Sequence, residues 1–279
     1  MDRDALLERV LALADDEDWE GAADLLREHL ADFDDDAAVH CWLGVAEREL
    51  GMEGVAYERF KRCLALEPQD PYVLATAGNG VSHFDDLDAE QALRTASLLG
   101  PEVALARLLY GAYLAREGFA EDALRELNAA REIDPDDPQI AYELGVAHGL
   151  QDDFDLAADA LAAAVSLDPE DGWARVVFGL VLVEAGRLEE ATGELISGAR
   201  RVEDDVDAQL AAALAAAATG RDGTAYEMLE RARMRSTDGD LMLVTVVEDR
   251  LEGGHEAAAE MLTDDFGPNL LRTRMSERP

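Results

Sequence analysis

Lysine is almost missing from this chain: of its 24 basic residues only Lys61 is a lysine, and 62 acidic residues leave a formal net charge of −38. Phosphate recognition needs clustered lysine and arginine, so no nucleic-acid partner is expected. Cysteine is scarce too. Cys41 and Cys63 make no disulfide framework for 279 residues and stand at no metal-ligand spacing, which points to a reducing compartment. Long apolar runs are absent, the longest being the alanine-rich stretch Leu210 to Ala218. That is about half of what a bilayer requires, so no membrane insertion is expected. The chain opens MDRDALLERV, without a basic segment leading into an apolar one, so no secretory signal is read and the cytoplasm is the expected location.

Signs of catalysis or metal binding are equally sparse. The five histidines are scattered, and His255-Glu256 with Glu260 lacks the second histidine of the HExxH zinc pattern. The carboxylate runs Asp15-Asp16-Glu17-Asp18 and Asp34-Asp35-Asp36 lack the glycine and glutamate spacing of a calcium loop and read as turns and caps. Neither a phosphate-cradling glycine loop nor a nucleophile elbow occurs. The expectation is a protein with no catalytic residue, no metal and no cofactor.

What is present is an acidic, foldable chain with 48% apolar residues. Its self-repulsion fades only when the Debye length shrinks to about 3 Å near molar salt. The composition is similar to that of proteins from salt-accumulating halophiles; a GC-rich genome favouring arginine, alanine and aspartate codons is the other source of such a bias.

Beneath the charge runs a repeat. Ala22, Ala56, Ala89, Ala123, Ala157, Ala191, Ala225 and Ala258 follow one another at steps of 33 or 34. Four residues after each stands a large apolar side chain: Leu26, Phe60, Leu93, Leu127, Leu161, Leu195, Leu229 and Leu262. Three further on, Cys63, Ala96, Ala130, Ala164, Gly198 and Ala232 are small again, with His29 the exception. Offsets of four and seven share one helical face, and small positions beside a large one let a neighbouring helix approach closely. An earlier small position recurs as Gly44, Ala77, Gly111, Gly145, Gly179 and Ala213 within a separate apolar pattern, so each unit has two helices. Gly51, Gly118, Gly186 and Gly220 stand where positive φ ends the first helix, and Asp152 takes that place in the fifth unit. Pro68, Pro101, Pro135 and Pro169 close the second helices, and DPDDPQ at 134–139 offers an aspartate cap with a first-turn proline. The Gly78-Asn79-Gly80 run weakens its helix by about 1 kcal/mol per glycine, which predicts a kink or early end near Gly80.

Leu43-Gly44 and Leu144-Gly145, the turn glycine, the alanine, large residue, small residue and terminal proline together resemble the tetratricopeptide repeat. The resemblance runs from about Asp4 to Asp265. It implies an all-α, right-handed superhelical solenoid of about eight repeats, at 2–35, 36–69, 70–102, 103–136, 137–170, 171–204, 205–238 and 239–268, forming one domain. The tail, 269–279, is expected to lay Leu270 and Leu271 on the last helix.

In this family the first helices line a groove. By matching position the resemblance places there Cys41, Val45 and Arg48, Leu108 and Ala112, Tyr142, Val146 and Gly149, Trp173, Val176 and Leu180, and Leu210 and Leu214. Most are apolar where peptide-carboxylate clamps carry polar or basic side chains. Two readings follow for units four to seven: an open groove that takes an apolar partner, such as an amphipathic helix or a segment of another subunit, or an inner wall whose side chains pack on one another. The expected function is that of a non-catalytic scaffold or adaptor for another protein or peptide segment, the alternative being a protein that associates with its own copies. Of the three tryptophans, Trp42 and Trp173 are candidates to stack on a ligand, whereas Trp19, at the turn-side aromatic position of the repeat, reads as packing.

Overall fold

A computed structural model describes residues 1–277 of the chain; Arg278 and Pro279, the end of the expected tail, lie outside the described residues. The fold is all-α, and no strand occurs among the described residues. Eight helix pairs follow one another as α1 (Arg3–Asp15) and α2 (Trp19–His29), α3 (Ala37–Glu49) and α4 (Glu53–Ala65), α5 (Pro71–Ser82) and α6 (Asp88–Leu99), and α7 (Ala104–Arg116) and α8 (Ala120–Ile133). Then come α9 (Pro138–Gly149) and α10 (Phe154–Leu167), α11 (Gly172–Glu184) and α12 (Leu188–Ala199), α13 (Val206–Ala218) and α14 (Asp222–Arg235), and α15 (Leu241–Glu252) and α16 (His255–Met261). A π-helical turn, Leu262–Phe266, leads into α17 (Gly267–Ser276). This is an α solenoid, built within each unit by stacking consecutive pairs.

Two compact units form, one from Met1–Glu117 with Arg125–Ile133 and one from Gly118–Leu124 with Asp134–Glu277. In the first, apolar clusters gather around Leu26 and Leu43, around Phe60, and around Leu93. In the second, one cluster runs from Ala141 to Met275.

The two helices of a pair approach closely because glycine or alanine faces the large residue. A Cβ on Gly145 would stand 2.5 Å from Leu161 Cγ, one on Gly179 2.6 Å from Leu195 Cγ, and one on Gly44 2.7 Å from Phe60 Cε1. Each is inside any tolerable carbon contact. The same constraint corrects the expectation for the third repeat. Helix α5 passes through Gly78, Asn79 and Gly80 and ends at Ser82 without breaking. Gly78 lies against Ala92 and Leu93, and Gly80 against the Phe60 ring, so close packing with neighbours outweighs the intrinsic weakness of a glycine-rich helix.

Part of the acidic excess is spent on helix ends. The carboxylates of Asp18, Asp36, Asp70, Asp137, Asp171 and Asp205 each accept a first-turn backbone N–H, satisfying donors that have no partner inside the helix. Arginine ties neighbouring helices together. The fully buried carboxylate of Glu47 receives Arg27 Nη2 at 3.0 Å and Arg59 Nε at 3.4 Å. At equivalent repeat positions Arg107 binds Glu126 and the Pro101 carbonyl, while Arg175 binds Glu194 and the Pro169 carbonyl. Lys61 spans Asp86 and Asp88 at 2.9 and 2.6 Å. The Asp86 carboxyl accepts from the Asp88 backbone, the Tyr57 hydroxyl and Lys61, which hold its pKa down to about 2.

Every turn within a pair carries a left-handed residue at the same register. Gly51, Gly118, Gly186 and Gly220 have φ of 73°, 82°, 71° and 73°, and Asp152 has φ 61°. Gly254 fills the place in the last pair. In the first and third pairs it falls to Glu17 (φ 58°) and Asp85 (φ 52°). An L side chain there costs about 1–2 kcal/mol, whereas the added freedom of glycine in the unfolded chain costs about 0.4–1 kcal/mol. The first is larger. Glu17→Gly and Asp85→Gly should therefore each stabilise the chain, by about 0.5–1 kcal/mol, seen as a higher urea midpoint; a lower midpoint for both would contradict the assigned turn geometry.

Candidate functional site

Of the thirteen residues assigned to the first-helix face, ten are buried and Val45, Arg48 and Trp173 are half-buried. Cys41 belongs to the cluster around Phe60, with Val45 packed against it. The Cys63 thiol and burial push the Cys41 thiol well up from its ordinary value, which leaves no thiolate for nucleophilic chemistry. Arg48 pairs with its neighbour Glu49 at 3.5 Å. Leu108 and Ala112 on α7 are buried. Val146, Val176, Leu180, Leu210 and Leu214 all lie within the large cluster of the second unit. Val176 points at its own partner helix, since a Cβ on Gly198 would meet its Cγ2 at 2.8 Å. Leu210 and Leu214 sit on α13, where every residue from Ala208 to Ala217 is buried. That helix is flanked by α12, α14, α15 and α16, which accounts for a helix apolar on all sides.

The remaining three, Tyr142, Gly149 and Trp173, converge on one place. It is occupied by α17. The tail is expected on the last helix; it lies instead across α11, on the face made by first helices. Leu270, Leu271 and Met275 are buried there. Spacings of four, from Leu270 to Arg274 and from Leu271 to Met275, align these side chains on one side of the helix.

The contacts are specific. The Arg274 guanidinium stands over the Trp173 ring, 4.2 Å from its centroid, a cation–π arrangement. Its Nη2 donates to Asp205 Oδ2 at 2.7 Å, and the other oxygen of Asp205 caps α13 through the Ala208 amide. The Trp173 indole N–H donates in turn to the Tyr142 hydroxyl at 3.2 Å. The Met275 thioether fills the space over Gly149, where a Cβ would stand 2.9 Å from its sulfur. At the other end of α11, a cavity of about 140 Å³ opens between Leu150, Phe154, Glu184, Pro268 and Arg272.

Acidic groups ring this surface. Burial pushes the Asp207 carboxyl up, Asp205 adds to the shift, and Arg274 opposes it. Burial likewise pushes the Glu184 carboxyl up, with Asp152 acting in the same sense and Arg272 against. One Glu184 oxygen is buried with no hydrogen-bond partner. The result is an apolar trough with an aromatic-acidic socket for a guanidinium at one end and a poorly solvated carboxylate at the other. Sequence reasoning missed α17 as its occupant. The available signal was Leu270-Leu271 followed by two arginines in a chain short of positive charge.

Among the described residues no group of His, Cys, Asp or Glu is placed to hold a metal ion, and no helix is long and apolar enough to cross a membrane.

The family profile described as Tetratricopeptide repeat matches residues 113–172. Among curated proteins none matches significantly. Of solved structures, the chain is similar to the APC/C hetero-tetramer Cut9-Hcn1, with TM-score 0.71 and 17% identity over 87% of this chain and 48% of that one. It is also similar to Pseudomonas aeruginosa PilF, with TM-score 0.55 and 18% identity over 71% of this chain and 90% of that one. A thermophilic TPR protein of Thermus thermophilus gives TM-score 0.53 and 23% identity over 64% and 98% of the respective chains. The likeness is one of fold.

Two variants probe this region. Val176→Glu with Leu180→Glu introduces two carboxylates into a dry core, each costing at least about 2 kcal/mol, so the pair should unfold the second unit; retained helix content by circular dichroism would show these positions to be solvent-facing. Glu184 has its folded-state pKa raised, so the penalty of its charged form is present above that pKa and relieved as pH falls through it. Glu184→Gln should accordingly stabilise the chain at about pH 8, with an advantage that shrinks toward about pH 4, followed by thermal melts across the range.

Proposed function

We propose that this protein is a non-catalytic adaptor that holds a segment of another protein on the face made by its first helices. The observation that carries the reading is the seating of α17 on that face, an amphipathic helix received by Gly149, Trp173 and Asp205. A surface that accepts one such helix through apolar burial and a charge-assisted anchor has the chemistry of helix-in-groove recognition. The match of residues 113–172 to the tetratricopeptide repeat and the solenoid fold of the solved structures support the same reading.

The adaptor works in the cytoplasm, and its acidic, lysine-poor surface suits an interior of high salt. Catalysis is no part of the proposal: Cys41 is held as a buried thiol, and the repeats occupy most of the chain. Association with its own copies is the rival outcome of the test.

A photo-reactive residue introduced singly at Arg48, Trp173 or Leu98, followed by irradiation in native extract at native salt, tests the reading. Foreign polypeptide should be captured at Arg48 or Trp173 and not at Leu98, which lies exposed on a second helix. Capture of the chain by itself, with purified protein scattering light as an oligomer across a salt series, would replace the adaptor with the self-associating protein. Capture at Leu98 alone would refute both.

A further inference from the structure

Resting on the adaptor reading, we propose that α17 is an exchangeable occupant of its site, and that the surface beneath it binds an amphipathic helix of another protein bearing an arginine one turn beyond its leucines. The partner is thus specified by the helix that holds its place.

Four features separate α17 from a fixed part of the core. It lies across α11 rather than over the exposed side of the final pair. It is joined to α16 through the π-helical turn Leu262–Phe266, a geometry that is rare and tends to mark functional sites. Its fit is incomplete: Arg274 Nε and one Glu184 oxygen are buried without hydrogen-bond partners, and the 140 Å³ cavity lies against Pro268 and Leu271. Such unpaired groups weaken the contact, so it is held below its best affinity. Finally, its charge is complementary. In a chain of net charge −38, Arg272 and Arg274 are set beside Glu184 and Asp205.

The same features define the replacement. A helix that displaced α17 without bringing a cation would leave the carboxylates of Asp205 and Asp207 in a half-dry site with no counter-charge between them. Arginine suits the socket better than lysine, because its plane stacks on Trp173 while its edge donates to Asp205. Gly149 admits an unbranched side chain where any Cβ would collide with it, so methionine belongs one residue after the arginine. The sought motif is a pair of adjacent apolar residues followed, four positions on, by arginine and a long unbranched apolar residue. While α17 is seated, only the fraction of molecules with the site open is competent, and apparent affinity is weakened by that fraction.

The test uses the full chain and a fluorescent peptide of residues 262–277 as probe, read by anisotropy. Leu271→Glu with Met275→Glu, both confined to α17, should release the helix and raise peptide affinity at least about tenfold over the unaltered chain. Adding Gly149→Leu to that released chain, or using a peptide with Arg274→Glu, should lose about tenfold or more. A released chain that keeps its helix content yet binds no peptide overturns the proposal. So does one that forms dimers which the peptide does not compete away, since the occupant is then a second copy. Should the released variant fail to fold, native-state hydrogen exchange on the unaltered chain decides: amides of α17 exchanging at least about tenfold faster than those of α11 support it, and exchange in step with α11 overturns it. Foreign polypeptide cross-linked at Arg48 alone, with α17 exchanging in step with α11, would sink this inference and leave the adaptor standing.

Discussion

Close approach of two helices over a glycine or alanine is the contact on which each pair depends. Where Gly145 meets Leu161 and Gly179 meets Leu195, one methyl group more would force the helices apart. That separation would be felt beyond the pair, because in a solenoid each pair buries its outer apolar surface only by stacking on the next. The small residue therefore sets both the packing within a pair and the spacing available to its neighbours. Glycine in mid-helix weakens α5 considered alone, yet Gly78 and Gly80 are retained inside an unbroken helix because Ala92, Leu93 and Phe60 fill the room they leave.

Electrostatics is layered on this packing. With 62 carboxylates and 24 basic residues, every arginine placed near acid is also a decision about which carboxylates remain unneutralised. Some arginines are committed to structure, as where Arg27 and Arg59 enclose Glu47. Exposed pairs such as Arg200 with Glu227 contribute little to stability. Arg274 belongs to neither group: it is largely buried, stacked on Trp173 and bound to a helix-capping aspartate. A buried charge pair of this kind gives geometric selectivity more than net stability.

The repeat was legible because its signal is local and periodic: Ala22, Leu26 and their counterparts recur, and each falls in the second helix of its pair or, for Leu262, just past its end. The turn glycines were legible for the same reason, and Asp152 as their substitute. Glu17 and Asp85 were not, although they share the register of Gly51 and Gly118, because neither residue type signals positive φ as strongly as glycine does. The first-helix positions were identified by alignment to the repeat, but their surroundings depend on contacts far apart in sequence. Arg274 reaches Asp205 across 69 residues, and no periodicity encodes that meeting. Gly149 was placed on the inner face by matching position, without any indication that Met275 would fill it.

Helix α13 carries a different consequence. Enclosed from Ala208 to Ala217, it has no face on which sequence can drift freely. A larger residue would collide with one neighbour or another, and a polar one would need a partner such as the Ala199 carbonyl that Gln209 finds. Its alanines therefore tolerate neither a larger side chain nor an unpartnered polar one, while α12 and α14 each keep an exposed side.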